Sequence, residues 1–310
     1  SACTLTTLTY TERITSWTLL GLTFFTGIAM VMHILTWQST IPELIPRSQL
    51  SRAVALGSIS FNLARSVGPA LGGFLIALAG TWIAFAVNAC SFAAVLVVLS
   101  FWKREPNTIL KQASFGKSVR DGLSFAATSV PMRHTLIRLS LFMLPAAALW
   151  SLLPLVARQR LLWDERGYGF LVTTIGVGAV VAAWFLHRLQ RRFGMNRTLM
   201  FTTAIFACSL AGVGMTTNGP VVSFFTFAIG GSWMMTMTTL NSEAQMTLPN
   251  ELRARGMSLY YAVMACSMAI GSLIWGQVAG AIDTGPTILV AAASLLVTSF
   301  IGAFFPLDER

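Results

Sequence analysis

The sequence predicts an all-α membrane protein built from bundles of transmembrane helices, and three observations lead to this fold class. Hydrophobic residues occupy 55% of the 310 positions and charged residues only 10%, whereas soluble domains contain about 25% charged residues. Apolar stretches long enough to cross a bilayer core, about 20 residues each, recur along the chain. Basic residues are concentrated in some of the connections between these stretches and nearly absent from others, a pattern typical of membrane topology.

Nine apolar stretches between charged, proline or glycine residues are predicted to form helices. In chain order they are 15–37, 52–79, 81–102, 135–156, 168–187, 198–215, 220–241, 255–281 and 285–305. No acidic residue lies within any of them. The connections at 80–81, 216–219 and 282–284 are short and lack Lys and Arg, whereas 103–134 is long and strongly basic.

The distribution of Lys and Arg predicts the orientation of the chain. Sixteen of the 21 basic residues fall on one side, four fall on the other, and Arg65 lies within the second stretch. The positive-inside rule makes the basic side cytoplasmic. This predicts a multi-pass protein of the cytoplasmic (inner) membrane of a bacterium, with a cytoplasmic C-terminus. Topology also explains the formal charge of +10, so we expect no nucleic-acid partner.

An internal repeat relates two helix pairs, 15–79 and 220–281. A shift of 203 positions aligns Pro46 with Pro249, Arg52 with Arg255, Gly68 with Gly271, and Gly73 with Gly276. Parallel repeats are typical of secondary transporters. We therefore expect a C-terminal six-helix half at 135–310, a basic cytoplasmic linker at 103–134, and only three helices of the N-terminal half at 1–102. Three further helices, about 75 residues, are expected before Ser1.

Several motifs are distributed over both halves of the chain. They are Pro42 to Arg47; Asn62 to Gly73, which includes Gly68-Pro69 and Gly72-Gly73; Trp150 to Leu155; Tyr168 to Phe170; Asn241 with Gln245; Arg253 to Arg255; and Gly271 with Trp275-Gly276. Together they resemble the major facilitator superfamily of transporters, in the branch of bacterial exporters that includes the enterobactin exporter. The resemblance covers the whole chain as helices four to twelve of twelve. It implies ion-coupled export of a siderophore-like or drug-like molecule by alternating access.

The glycine-rich part of the second stretch and its repeat-related copy are predicted to couple the movements of the two halves. This conformational-coupling motif comprises Asn62, Arg65, Gly68, Pro69, Gly72, Gly73, Gly271 and Gly276. Small residues allow helices to approach closely, and ordinary tight packing is the alternative. Arg65 lies about 20 Å along its helix, near the membrane centre, where a charge needs a partner. We expect Arg65 to act in coupling or substrate contact, with a structural role as the alternative.

Four residues are candidates for a substrate cavity: His33, Arg65, Trp150 and Trp233. The resemblance places the two tryptophans on helices seven and ten, which line the cavity in this superfamily. Packing or interfacial aromatic residues are the alternative. His33 lies in an apolar stretch, where an imidazole either relays protons or forms a packing hydrogen bond.

A cytoplasmic gate is predicted beyond the ends of stretches 15–37 and 220–241. Its candidates are Glu43, Arg47, Asn241, Glu243, Gln245, Arg253 and Arg255. Charged residues at repeat-related ends would suit a salt bridge that holds one state of a transporter, whereas solvated helix ends are the alternative.

The sequence contains no motif of an enzyme or metal site. It lacks H-E-x-x-H, G-x-S-x-G, P-loop and C-x-x-C patterns, and Gly176 and Gly178 lie in an apolar stretch without the preceding strand of a dinucleotide loop. We expect no catalytic residue, metal or cofactor, and a monomer in the lipid bilayer that binds a small-molecule substrate. The alternatives are a non-transporting fragment or scaffold of the same fold and, less favoured, a membrane-embedded enzyme.

Overall fold

The computed structural model describes residues 1–44, 57, 60, 64, 67–68, 71–101, 123–249 and 252–307. All regular secondary structure in these residues is helical, which confirms the predicted fold class. The helices are α1 Ala2–Tyr10, α2 Ser16–Leu44, α3 71–79, α4 Thr81–Phe101, α5 123–128, α6 Val130–Leu155, α7 Glu165–Met215, α8 Gly219–Thr247, α9 Arg253–Ile282 and α10 Thr284–Gly302.

Six helical stretches among the described residues are long and apolar enough to cross a membrane. One of them, within α7, is 50 residues long, far more than a bilayer core requires. Gly194 interrupts it with φ 76° and ψ 168°, a conformation that glycine adopts readily because it has no Cβ. The break separates the two predicted helices 168–187 and 198–215.

The helix α1 is not among the predicted stretches, because nine residues are too few to span a bilayer. The hydroxyls of Thr6 and Thr7 donate to the carbonyls of Ala2 and Cys3 in the same helix, each at 3.0 Å. Tyr10 packs edge-on against Trp82 of α4, with ring centroids 5.3 Å apart. The predicted stretch 52–79 lies largely outside the described residues, and those of its residues that are described are helical.

The ends of the helices in the C-terminal part follow from local sequence. Ser129 caps α6, and its side chain accepts a hydrogen bond from the Met132 amide. Asn218 caps α8 in the same way through the Val221 amide, with a proline in the first turn. Asp283 alone separates α9 from α10 and accepts from the Thr284 amide at 2.7 Å. Caps of this kind satisfy amide groups that the helix itself leaves unpaired.

The chain divides into two compact units. Unit 1 comprises Ser1–Asn107 and Glu165–Phe170, and unit 2 comprises Thr108–Asp164 and Leu171–Arg310. In unit 1, α1 packs against α4. In unit 2, α6 is the central helix: it packs against α8, α9 and α10 and contributes much of the buried core. The predicted linker and domain boundaries stay predictions, since 102–122 lies outside the described residues.

Candidate functional site

Trp150 of α6 and Trp233 of α8, two of the predicted cavity residues, lie against each other. Their ring centroids are 5.6 Å apart at an interplanar angle of 79°. Phe142 lies 5.7 Å from Trp233 and 5.4 Å from Phe206, and Phe206 lies 6.0 Å from Trp233, all between ring centroids. We call these four residues the aromatic cluster. It joins α6, α7 and α8 through ring contacts that each contribute about 0.5–1.5 kcal/mol beyond area burial.

The indole N–H of Trp150 is buried and has no hydrogen-bond partner within the described part of the chain. A buried Trp N–H ordinarily finds an acceptor, because an unpaired polar group away from water is costly. Both tryptophan side chains are only half-buried, so part of the cluster is accessible. The arrangement therefore places an unpaired, buried donor beside partly accessible aromatic faces.

The sequence of α6 makes its backbone irregular next to Trp150. Pro154 lacks the amide hydrogen that would donate to the Trp150 carbonyl in a regular helix, and Pro145 also lies inside α6. The chain then continues as a π-helical turn, Val156–Arg160. Such wider turns are frequent at functional sites. The unpaired indole therefore lies where α6 is least regular.

A second group of side chains, the polar cluster, lies in the last turns of α8 and on α9. Asn241 and Glu243 are buried, with 7% and 2% of their surface exposed. Gln245 Nε2 donates to Asn241 Oδ1 at 2.6 Å, and Asn241 Nδ2 donates to the Tyr261 hydroxyl at 3.4 Å. Thr247 Oγ1 donates to Glu243 Oε1 at 3.4 Å. The structure thus brings three predicted gate residues together on one helix end.

The burial of Glu243 differs from what the sequence predicted. The predicted helix ended at 241 and left Glu243 outside, whereas α8 continues to Thr247. The sequence after 241 contains Glu, Ala, Gln and Met, which favour helices, and the helix stops before Pro249, since the residue preceding a proline avoids helical geometry. A carboxylate therefore lies inside unit 2, and an ionisable group in a membrane-spanning helix is a functional-site candidate.

The other predicted gate residues are described only in part. Arg255 lies in the first turn of α9 with a half-buried side chain. The side chains of Glu43 and Arg253, and all of Arg47, lie outside the described residues. The salt-bridge gate stays a prediction.

The conformational-coupling motif in unit 1 is also described in part, because Asn62, Arg65 and Pro69 lie outside the described residues. Gly73 is buried. A Cβ built on Gly169 would lie 2.9 Å from the carbonyl oxygen of Gly73. This separation is too short for a real Cβ contact. Within unit 1, the backbone of α3 therefore approaches Gly169 as closely as only a glycine permits.

The repeat-related glycine of unit 2, Gly271, lies where α9 crosses α6. A Cβ at Gly271 would collide with the Leu144 carbonyl oxygen and would lie 2.8 Å from the Ala147 side chain. Trp275, one turn later, donates its indole N–H to the same Leu144 oxygen at 2.8 Å. Gly276, in contrast, has open space around it. Position 271 thus has a packing role, and the coupling role of the motif stays a prediction.

Of the other two cavity candidates, His33 lies on α2 of unit 1 with an exposed side chain, and Arg65 is outside the described residues. Their roles stay predictions. No group of three or more His, Cys, Asp and Glu side chains able to hold a metal ion is present among the described residues.

Sequence reasoning missed two features of unit 2. Arg138, one of the sixteen basic residues that the sequence assigns to the cytoplasmic side, is buried in the third turn of α6 with 5% of its surface exposed. Its position inside the predicted stretch 135–156 is the available signal. The second is the crossing of α7 and α8, where a Cβ on Gly178 would collide with the Phe227 backbone and one on Gly230 with the Ile175 backbone. Glycines within apolar stretches are the signal for such crossings.

Comparison with known proteins identifies the relatives of the chain. Residues 1–310 match the family described as transmembrane secretion effector. The staphyloferrin A transporter of Staphylococcus aureus is 24% identical over 188 residues, which cover 60% of this chain and 47% of that protein. The multidrug efflux pump Tap of Mycolicibacterium fortuitum is 22% identical over 283 residues, 87% of this chain and 67% of that protein. The chain thus spans about half to two thirds of the length of these relatives.

Proposed function

Because the chain belongs to the transmembrane secretion effector family of the major facilitator superfamily, we propose that it exports a small molecule by alternating access. The named relatives that support this function are a transporter and an efflux pump. The proposal extends to the whole protein, including its activity and substrate. Alternating access in such proteins moves two helical bundles around a binding site near the membrane centre.

The substrate class is proposed from the aromatic cluster, and the unpaired indole N–H of Trp150 is the observation that carries it. A flat drug-like or siderophore-like molecule would stack on the accessible faces of Trp150 and Trp233 and accept a hydrogen bond from Trp150. That bond would fix the orientation of the ligand, because the donor has no hydrogen-bond acceptor among the described residues.

Coupling to an ion gradient is proposed through Glu243. Glu243 is a carboxylate that is 2% exposed in a membrane-spanning helix, where an ionisable residue is a candidate functional site. Reversible protonation of Glu243, next to the hydrogen-bonded Asn241 and Gln245, would link proton movement to the position of α8. This supports antiport of protons against the exported molecule.

The same proposal includes the membrane location, the partners and the oligomeric state of the protein. We propose that it lies in the bacterial cytoplasmic membrane with the C-terminus in the cytoplasm, which the positive-inside count supports. Its partners would be the small-molecule substrate and the bilayer, and the working unit a monomer.

Efflux from bacterial cells that lack their own drug pumps tests the proposal. Doxorubicin offers an aromatic face with carbonyl oxygens, and ethidium offers an aromatic face without oxygen acceptors. We expect Trp150→Phe to raise the KM for doxorubicin about fivefold, which corresponds to one lost hydrogen bond, and to leave ethidium efflux unchanged. Trp184→Phe is the matched control, because Trp184 is 78% exposed.

Two outcomes would contradict the proposal. Equal doxorubicin KM values for the Trp150 and Trp184 variants would remove Trp150 from the substrate site. Absence of efflux for every substrate in a broad panel, from cells that contain the folded whole protein, would remove the transport function. For the coupling step, we expect Glu243→Gln to abolish the dependence of efflux on a pH gradient, whereas Glu12→Gln, at an exposed position, should leave it intact.

A further inference from the structure

Arg138 of α6 is a buried cation whose hydrogen-bonding groups are only partly satisfied. Its Nε donates to the Gly302 carbonyl oxygen at the end of α10, at 2.8 Å. Its Nη1 is buried and has no hydrogen-bond partner within the described part of the chain. The guanidinium stays charged under all relevant conditions, and a buried charge without a counter-charge is strongly unfavourable. The carbonyl end of α10 supplies a partial negative charge to this guanidinium.

Arg138 lines a cleft between α6, the second part of α7 and α10. Three hydroxyl-bearing residues, Thr203, Thr298 and Ser299, also line it, so the cleft offers several polar groups beside one cation. The cleft measures about 320 Å³ including its open mouth. Its enclosed part has room for about one water-sized group. A ligand larger than water would therefore lie at the mouth and extend a single oxygen inward.

The surface around the mouth of the cleft is apolar. Met200 and Phe201 of α7 and Val297 and Phe300 of α10 are all exposed. In a membrane-spanning helix bundle, exposed apolar side chains of this kind contact lipid. A ligand that reaches the cleft from this side must combine an acidic group with hydrocarbon chains.

The depth of the cleft matches the position of lipid phosphates. With 19 residues, α10 is about 28 Å long, close to the thickness of the hydrocarbon core, about 30 Å. Gly302 is the last residue of α10, so an α10 that crosses the hydrocarbon core would bring the Arg138 guanidinium to the border between hydrocarbon and headgroups. Arg197 is exposed and lies one turn before Met200 on the same face of α7, which adds positive charge near the mouth.

We propose that this cleft binds the phosphate group of an anionic membrane lipid, with Arg138 as its principal contact. One phosphate oxygen enters the cleft and accepts from the guanidinium, which matches phosphate in charge and geometry. Ser299 and Thr203 supply further donors. The acyl chains lie along Val297 and Phe300, and Arg197 favours lipids with a net negative charge. The inference is independent of which molecule the protein exports.

Native mass spectrometry of the purified chain in detergent tests this site. The chain is titrated with phosphatidylglycerol, with phosphatidylcholine, and in a separate arm with inorganic phosphate. We expect phosphatidylglycerol to bind about tenfold more tightly than phosphatidylcholine, and Arg138→Gln to weaken phosphatidylglycerol binding about tenfold without affecting phosphatidylcholine. Arg133→Gln is the matched control, because it removes an exposed charge from the first turn of the same helix.

Several results would overturn the proposal. Equal phosphatidylglycerol binding by the Arg138 and Arg133 variants would exclude Arg138 as the contact. Equal affinities of the unmodified chain for phosphatidylglycerol and phosphatidylcholine would show that the cleft does not recognise an anionic lipid and holds only an ordered water. Displacement of phosphatidylglycerol by low-millimolar inorganic phosphate would assign the site to free phosphate. Should Arg138→Gln not fold, Ser299→Ala and Thr203→Val are each expected to weaken phosphatidylglycerol binding about two- to threefold, and unchanged values would overturn the proposal equally.

Discussion

Helix α4 of unit 1 and helix α6 of unit 2 are equally suited to a membrane, yet they are packed very differently. The mean hydropathy of the most apolar 18-residue segment is 2.3 in α4 and 2.0 in the helix that begins with α6. None of this segment is buried in α4, whereas 61% of it is buried in the helix of α6. Hydropathy therefore indicates whether a helix can span a bilayer, but it does not predict how much of that helix is buried against other helices. Packing within this protein depends on other features, namely glycines at helix crossings and side chains that form hydrogen bonds between helices.

The internal repeat sharpens this comparison, because it places the same residue type at corresponding positions of the two units. Among the described residues, a Cβ built on Gly68 meets nothing within 4 Å, whereas one built on Gly271 collides with the Leu144 carbonyl oxygen. The two glycines align at a shift of 203 positions. Within the described part of the chain, the copy in unit 2 therefore lies at a close helix crossing and the copy in unit 1 does not.

The largest effect is expected where two helix backbones touch. In Gly230→Ala, the new methyl group would occupy the position of the Ile175 carbonyl, so α7 and α8 must separate. We expect a loss of about 3 kcal/mol in the free energy of unfolding, measured by SDS titration of the detergent-solubilised chain. Gly72→Ala, which adds a methyl group in open space, should change it by less than about 0.5 kcal/mol. Similar losses for both variants would mean that the backbone crossing does not control the stability of unit 2.

The repeat-related pair provides the most direct test of the comparison. Gly271→Ala places a methyl group against Leu144 and Ala147 and disturbs the Trp275 hydrogen bond to the Leu144 oxygen. We expect a loss of about 2 kcal/mol in the same assay. Gly68→Ala should leave the free energy of unfolding nearly unchanged. A destabilising Gly68→Ala would show that the glycine of unit 1 also lies at a close crossing, and the contrast between the copies would disappear.

The sequence predicts the fold class and family well, because both depend on features that are read along the chain. The length of apolar stretches and the positions of Lys and Arg indicate a helical membrane protein, and the family predicted from the motifs is confirmed by the match over residues 1–310. The short connections at 216–219 and 282–284 are also found. Each of these predictions needs only local information.

The arrangement within unit 2 could not be predicted in the same way. Trp150 and Trp233 are predicted candidates, but their mutual contact depends on how α6 and α8 pack. The predicted stretch ends at 241, two residues before Glu243, because helix ends are uncertain by a few residues, and the burial of Glu243 depends on how the helices pack. The positions of Gly178 and Gly230 within apolar stretches are visible in the sequence, but the backbone that each one meets belongs to another helix.

The smallest effect is expected at a pair of threonines, because their hydrogen bond has an alternative. Thr202 of α7 and Thr236 of α8 are fully buried and their hydroxyl oxygens are 2.8 Å apart. Removing one hydroxyl leaves the other able to bond to a carbonyl of its own helix, so the bond between helices in a membrane protein contributes only about 0.6 kcal/mol. A double-mutant cycle with Thr202→Val and Thr236→Val should give a coupling free energy of this size.

Thr26 of α2, whose hydroxyl donates to the Leu22 carbonyl of its own helix at 2.7 Å, is the control in unit 1. Thr26→Val should show no coupling to Thr236→Val. Zero coupling between Thr202 and Thr236 would mean that glycine crossings alone distinguish the packing of unit 2, whereas a measurable value would show that hydrogen bonds between helices contribute as well.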